Sequence, residues 1–205
     1  MNIRVARHTI LPMILERWSP RAFDPSQPIL RSELATLFEA ARWAPSAFNV
    51  QPWRFIFALR DDPGWDAMVE LLIPFNKSWA ASASALVCVA SQTDAPGKTP
   101  TERFPSYSHS FDAGAAWAFL ALQAHSMGLC THAMTGFDVE RAKTVLRLPA
   151  NVRLDAIVAV GHQGPGDHLP EELRSRDIPS DRQSIEEFVF EGTFDTPIER
   201  LRHGF

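Results

Sequence analysis

Leu34, Leu37, Phe38 and Ala41 recur at the spacing of one helical face. Ser32 stands before them as an N-cap, and Pro45 ends the run. Arg54 to Leu59 is short and rich in Phe and Ile, and reads as a strand. Gly64 to Leu72 reads as a helix. Ser84 to Ala90, with Val87 and Val89, is an apolar run suited to a buried strand. Pro96 to Ser108 is polar and Pro-rich, which predicts a loop. Phe111 to Met127 predicts a helix closed by Gly128. Ala and Leu surround that helix on nearly every side, which predicts burial all round. Leu129 to Thr135 reads as a strand. Asp138 then caps a helix running to about Arg147, before Pro149. Val152 to Gly161 is a further strand, and Gly164 to Arg182 a loop. The tail from Ile185 carries Phe188, Phe190, Phe194 and Phe205, which must be buried on this subunit or on a partner.

Helices and strands mix without regular alternation, which points to an α+β or mixed α/β layer fold. No repeat, low-complexity tract or long linker divides the 205 residues, so the whole chain, 1–205, reads as one domain. Its 45% hydrophobic and 21% charged residues suit a globular protein rather than a disordered one. The net charge of −4 provides no basic excess to neutralise a nucleic-acid backbone. The apolar patch before Glu16 is too short for a secretion signal and lacks a cleavage site. Trp79 to Ala90 is too short to span a bilayer as a helix. Both observations favour the cytoplasm and no membrane. Cys88 and Cys130 lie in apolar stretches without metal-ligand spacing and read as two buried thiols; a disulfide or a reactive thiol are the other readings.

Four short segments carry candidate chemistry. In Arg17-Trp18-Ser19-Pro20-Arg21, two guanidinium groups flank a hydroxyl. As a strand or a helix the two arginines share a face and can converge on one dianion; they can equally be solvated surface cations. The segment Ala44-Pro45-Ser46-Ala47-Phe48-Asn49-Val50-Gln51-Pro52-Trp53 is stiffened by prolines. Ser46, Asn49 and Gln51 offer the donors and acceptors that a planar heterocycle with amide-like edges needs. An Asx-turn with Trp53 as core packing is the other reading. In Ala133 to Asp138, Gly136 permits close backbone approach at the end of a strand. Arg182 lies in the polar loop Pro179 to Arg182. His132 reads as a satisfied core histidine. There is no GxGxxG after a strand, no Walker A sequence, no GxSxG and no HExxH, so no metal is expected.

In order and spacing these segments resemble one family. Arg17-x-Ser-x-Arg21-x-Phe23 followed by Ala44-Pro-Ser-x-x-Asn-x-Gln-Pro-Trp53 is similar to the N-terminal signature of the nitroreductase family. The likeness continues through Phe75-Asn76, Gly114-Ala-Ala, Gly128-Leu129, Thr135-Gly136-Phe137-Asp138 and Val160-Gly161, from about residue 10 to 192. It implies an α+β nitroreductase-like fold: a central, mostly antiparallel sheet flanked by helices. It also implies an obligate homodimer with two FMN sites at the interface, the tail from about 185 to 205 packing on the partner subunit. By that resemblance Arg17, Trp18, Ser19 and Arg21 meet the FMN phosphate and ribityl chain, and Arg182 completes the grip. Pro45, Ser46, Ala47, Asn49 and Gln51 line the ring from the other subunit. Asn76 meets the pyrimidine edge, and Thr135 and Gly136 approach N5. Two departures stand out: Trp79 sits where relatives often have a cation, and Thr135 where many have Glu.

The resemblance further implies an oxidoreductase with a ping-pong cycle. NADH or NADPH gives hydride to flavin N5, and a nitroaromatic, quinone or activated alkene then takes it from the same slot. No side chain need act as a catalytic group, because the flavin carries the chemistry. Phe104, Tyr107 and Phe111 are candidates for a lid over the slot, or else pack into the core. Within the family, dehalogenase or dehydrogenase chemistry is an alternative. Outside it stand a flavin-binding protein without significant turnover and an interaction domain with no cofactor.

Overall fold

The computed structural model describes residues 4–198. In chain order its elements are α1 (Pro12–Glu16), α2 (Arg31–Arg42), β1 (Trp53–Leu59), α3 (Trp65–Val69), α4 (Pro74–Ala80), β2 (Ala85–Gln92), β3 (Asp94–Pro96) and β4 (Arg103–Pro105). Then come α5 (His109–Ser126), β5 (Cys130–Met134), α6 (Val139–Val145), β6 (Val152–Gly161) and α7 (Glu171–Arg174). Short 3-10 turns lie at Ala47–Asn49 and Ile185–Glu187.

The central sheet has the order β1-β2-β6-β5, and every neighbouring pair is antiparallel. Successive side chains of a strand point to opposite faces, so β2 divides the core in two. Leu86, Cys88 and Ala90 join Ile157, Ala159, Leu71 and Trp79 on one face. Ala85, Val87 and Val89 join Val158, Val160, Leu34, Leu37 and Leu120 on the other, beneath α2 and α5. A run with both faces buried shows no alternation of polarity, which is why β2 reads as continuous apolar sequence.

The predicted strands and long helices stand nearly where the pattern put them, with corrections of physical origin. Helix α2 starts at Arg31, so Ser32 lies in its first turn. The Leu30 backbone N–H is taken instead by the Glu33 carboxylate, at 2.7 Å. Only Trp65–Val69 of the segment from Gly64 to Leu72 is helical. The predicted loop from Pro96 to Ser108 contains one arm of the β3–β4 hairpin, closed by Arg103, whose Nε and Nη2 both donate to Asp94 Oδ1. The later loop contains α7.

Helix α5 is not buried all round. Ala113, Ala116, Leu120 and Ala124 form its inner stripe, but Phe111 and Phe119 are exposed on an outer row with Gly114 and Ala118. Small residues on both sides hid the difference from the sequence. At its end Gly128 has φ +74°; its N–H reaches His125 O at 3.0 Å and the Leu129 N–H reaches Ala124 O at 2.9 Å. That pair of bonds closes the last turn and turns the chain into β5. In the tail, Phe188 and Phe194 are exposed and Phe190 is half-buried against Phe194; Phe205 lies outside the described residues.

Candidate functional site

The segment after α1 leaves the helix in extended conformation at Arg17. Arg17 is half-buried, and its Nη1 donates to Ser19 Oγ at 3.3 Å. Arg182, distant in sequence, lies in the loop beside it; its Nη1 donates to the carbonyl and the hydroxyl of Ser180, each at 3.1 Å. Arg4 joins them from the N-terminal arm, donating from Nε to the same Ser180 carbonyl at 2.9 Å. Burial holds the Arg17 guanidinium below the usual arginine range, and the charges of Arg182 and Arg4 push it further down. Among the described residues neither Arg17 nor Arg182 forms a salt bridge with a carboxylate. Mutually repelling, partly desolvated cations gain most from an anion placed between them.

Arg21 takes another direction. Its backbone N–H and that of Ala22 are held by the two carboxylate oxygens of Asp177, at 2.8 and 3.0 Å. Its guanidinium lies 6.0 Å from the Trp79 ring centroid, and its Nε is buried with no protein partner. Trp79 is buried beneath it, stacked at 6.3 Å on Phe23 and tilted at 4.5 Å against His132. His132 Nδ1 bonds the Pro20 carbonyl at 3.0 Å, tying the Arg17–Arg21 segment to β5. Burial lowers the His132 pKa, and the carbonyl bond partly opposes this. Trp18 and Ser19 are half-buried along the same stretch.

Asn76, one turn before Trp79 on α4, is buried and donates from Nδ2 to the Gly136 carbonyl at 2.9 Å. The Ile73 N–H reaches the same carbonyl at 3.2 Å, and the Asp138 N–H reaches Leu71 O at 2.8 Å. A Cβ on residue 136 would stand 2.7 Å from both Asn76 Nδ2 and Ile73 Cδ1, so any side chain there would force both of those side-chain ends to shift. Thr135 is exposed beside it. Lys77 turns away to pair with Glu70.

Pro45, Ser46, Ala47, Asn49 and Gln51 form a separate projection. Phe48, Asn49 and Gln51 all have positive φ, at 51°, 55° and 53°. The strain is held by polar bonds: Gln51 N–H to Ser46 Oγ, Gln51 Nε2 to Asn49 O, and Ala47 N–H to the Asp112 carboxylate. Among the described residues no hydrogen bond joins this loop to Arg17, Arg21, Arg182, Asn76 or Gly136. Phe104 on β4, Tyr107 in the turn that follows and Phe111 at the start of α5 are exposed, which rules out the core reading for them. The described residues hold no cluster of His, Cys, Asp and Glu fit for a metal ion.

The profile of the Nitroreductase family matches residues 14–74 and 66–162. This chain belongs to the nitroreductase family. A crystal structure described as an oxidoreductase containing FMN superposes with a TM-score of 0.91 at 42% identity, covering 96% of this chain and 98% of that one. An NADH dehydrogenase of Thermus thermophilus is 30% identical over 187 residues, 76% of this chain and 89% of its own length. Protein DrgA of Synechocystis is 28% identical over 196 residues, 83% of this chain and 87% of its own. The α+β fold and the antiparallel sheet are thus those of the nitroreductase family, as the motifs implied. No helix among the described residues is long and apolar enough to cross a membrane.

Sequence reading missed three residues that tie these segments down. Asp112, a carboxylate in the first turn of an otherwise apolar helix, offered a signal. Asp177 and Arg4 offered none, because their partners are backbone groups that no motif marks.

Proposed function

We propose that the protein is an FMN-dependent oxidoreductase acting as a cytoplasmic homodimer. It takes hydride from NADH or NADPH and passes it to a nitroaromatic, a quinone or a similar small electrophile in a ping-pong cycle. The observation that carries the reading is the pair of neighbouring guanidinium groups of Arg17, bonded to Ser19, and Arg182, which form no salt bridge with a carboxylate among the described residues; farther along the same segment Arg21 keeps a buried Nε with no protein partner. That donor set fits a phosphate monoester and the hydroxylated chain leading from it. The Asn76–Gly136 wall, where a Cβ would crowd the side-chain ends of Asn76 and Ile73, fits the edge of a flat ring.

In this reading Arg17, Ser19 and Arg182 hold the phosphate, and Trp18 and Arg21 line the ribityl path. Asn76 orients the pyrimidine edge, while Thr135 and Gly136 border N5. When bound, FMN supplies the atom that accepts and returns hydride, so two substrates are handled in turn. Pro45, Ser46, Ala47, Asn49 and Gln51 cover the ring of the partner's site, since they stand apart from the arginines of their own chain. The exposed row Phe111, Ala118 and Phe119 on α5 supports pairing with a second copy, as does the exposed Phe48. Phe104 and Tyr107 stand ready to cap the slot.

Anaerobic titration tests the reading. The purified protein should be yellow, and NADH or NADPH should bleach it; an oxidant panel should restore the colour. Tight FMN that neither nucleotide bleaches would instead mark a flavin-binding protein without turnover, and colourless protein that takes up no FMN would sink the proposal. Restoration by a halogenated substrate alone would redirect it to dehalogenase chemistry, and bleaching of the oxidised flavin by a saturated substrate in place of NADH or NADPH would redirect it to dehydrogenase chemistry. Parallel double-reciprocal lines are expected when both substrates are varied.

A further inference from the structure

Arg4 lies outside every motif, yet its side chain makes the most far-reaching set of bonds in the cation cluster. Nε donates to Ser180 O at 2.9 Å, and Nη1 donates to Leu15 O at 3.0 Å and Arg17 O at 2.9 Å. The first carbonyl belongs to the loop that carries Arg182, which holds that same oxygen from its own side at 3.1 Å. The other two belong to the end of α1 and to Arg17 itself. One planar fork therefore joins the backbones that present the two phosphate-facing cations, although these lie at opposite ends of the chain.

We propose that Arg4 is a positioning residue of the cofactor-phosphate grip, fixing Arg17 and Arg182 at the separation that a phosphate monoester needs. The inference rests on the reading of FMN as cofactor. The simpler role for Arg4 is to satisfy carbonyls left open at the end of α1. That role would support the fold but would not discriminate between flavins with and without phosphate. A purely electrostatic role would be served by any cation. The fork geometry is what a lysine cannot reproduce, because an ammonium on a flexible stem has no fixed pair of edges.

The test compares FMN with riboflavin, which lacks the phosphate, on flavin-free full-length protein, using quenching of flavin fluorescence to read dissociation constants. Wild type should prefer FMN. Arg4→Ala should weaken FMN by about tenfold to a hundredfold, the scale of a lost charge-assisted contact, while riboflavin changes by less than about threefold. Arg4→Lys should behave as Arg4→Ala does. An unchanged FMN-to-riboflavin ratio in Arg4→Ala would overturn the proposal, as would full recovery in Arg4→Lys. Should Arg4→Ala fail to fold, Arg4→Gln retains two N–H donors, and the same ratio decides. If wild type shows no preference for FMN, the cofactor reading falls at the control, and this proposal with it; a wild-type preference that survives in the variants defeats the Arg4 role alone.

Discussion

The carboxylate of Asp112 accepts a hydrogen bond from the backbone N–H of Ala47 at 3.2 Å, and so fastens the strained amide loop to the first turn of α5. Ser108 Oγ donates to the same oxygen at 3.0 Å. Asp112 is buried, and its removal takes the acceptor from both donors. Asp112→Ala should cost about 1–3 kcal/mol of stability, measured by urea denaturation, and Asp112→Asn less. FMN affinity should fall as well, because Phe48, Asn49 and Gln51 lose the tether that keeps them at positive φ.

Gly136→Ala should separate α4 from the end of β5. The added methyl meets Asn76 Nδ2 and Ile73 Cδ1 at 2.7 Å, and overpacking of this kind costs about 1–3 kcal/mol. A lower melting temperature together with weaker FMN binding is expected. Unchanged stability would mean that Ile73 and Asn76 yield freely.

His132 gives stability a dependence on pH. Burial disfavours its protonated form, and the nearby Arg21 adds to this, so the folded-state pKa lies below the ordinary 6.5. The unfolded chain therefore takes up the proton first as pH falls, and stability is lost below about pH 6.5. Melting curves between pH 8 and 5.5 should show a decline in wild type that is shallower in His132→Gln. Parallel declines would assign the effect elsewhere.

Both thiols should resist alkylation in the native protein. Burial pushes Cys88 up to about 12, and burial with the charge of Asp177 pushes Cys130 up to about 11. Little thiolate then exists at pH 8. A thiol-reactive dye should label Cys130 slowly and Cys88 only after denaturation. Rapid native labelling of Cys88 would contradict the packing around β2.

The outer row of α5 should control assembly. Ala118→Glu places a charge beside exposed Phe111 and Phe119 without touching the inner stripe. Sedimentation should show the mass of two chains for wild type and of one for the variant, with loss of FMN. A dimeric variant would move the interface elsewhere.

The four strands of the central sheet were legible because alternating or continuous apolar runs leave few other folds, and Val152–Gly161 matches its predicted span, whereas the short β3–β4 hairpin carries no such run. The arginine segment stood out only through the spacing of Arg17, Ser19 and Arg21, and there the structure divides them: Arg17 joins Arg182, while Arg21 lies over Trp79. Backbone tethers from Asp177 and Pro20 turn the segment between the two, and a motif records no such bonds. The outer face of α5 was hidden for a different reason. Alanine suits a buried position and an exposed one alike, so a helix rich in it carries little pattern.

Strand β2, dry on both faces, works as a bulkhead between two compartments. Asn76, Trp79 and His132 belong to the layer of α4 and β5, whereas the amide loop and α5 belong to the opposite layer. Drift in side-chain volume on the α5 side is thereby screened from the Asn76–Gly136 contact, whereas α1, which packs on α5 and leads into Arg17, feels it directly, so the two ends of the candidate site are free to change at different rates.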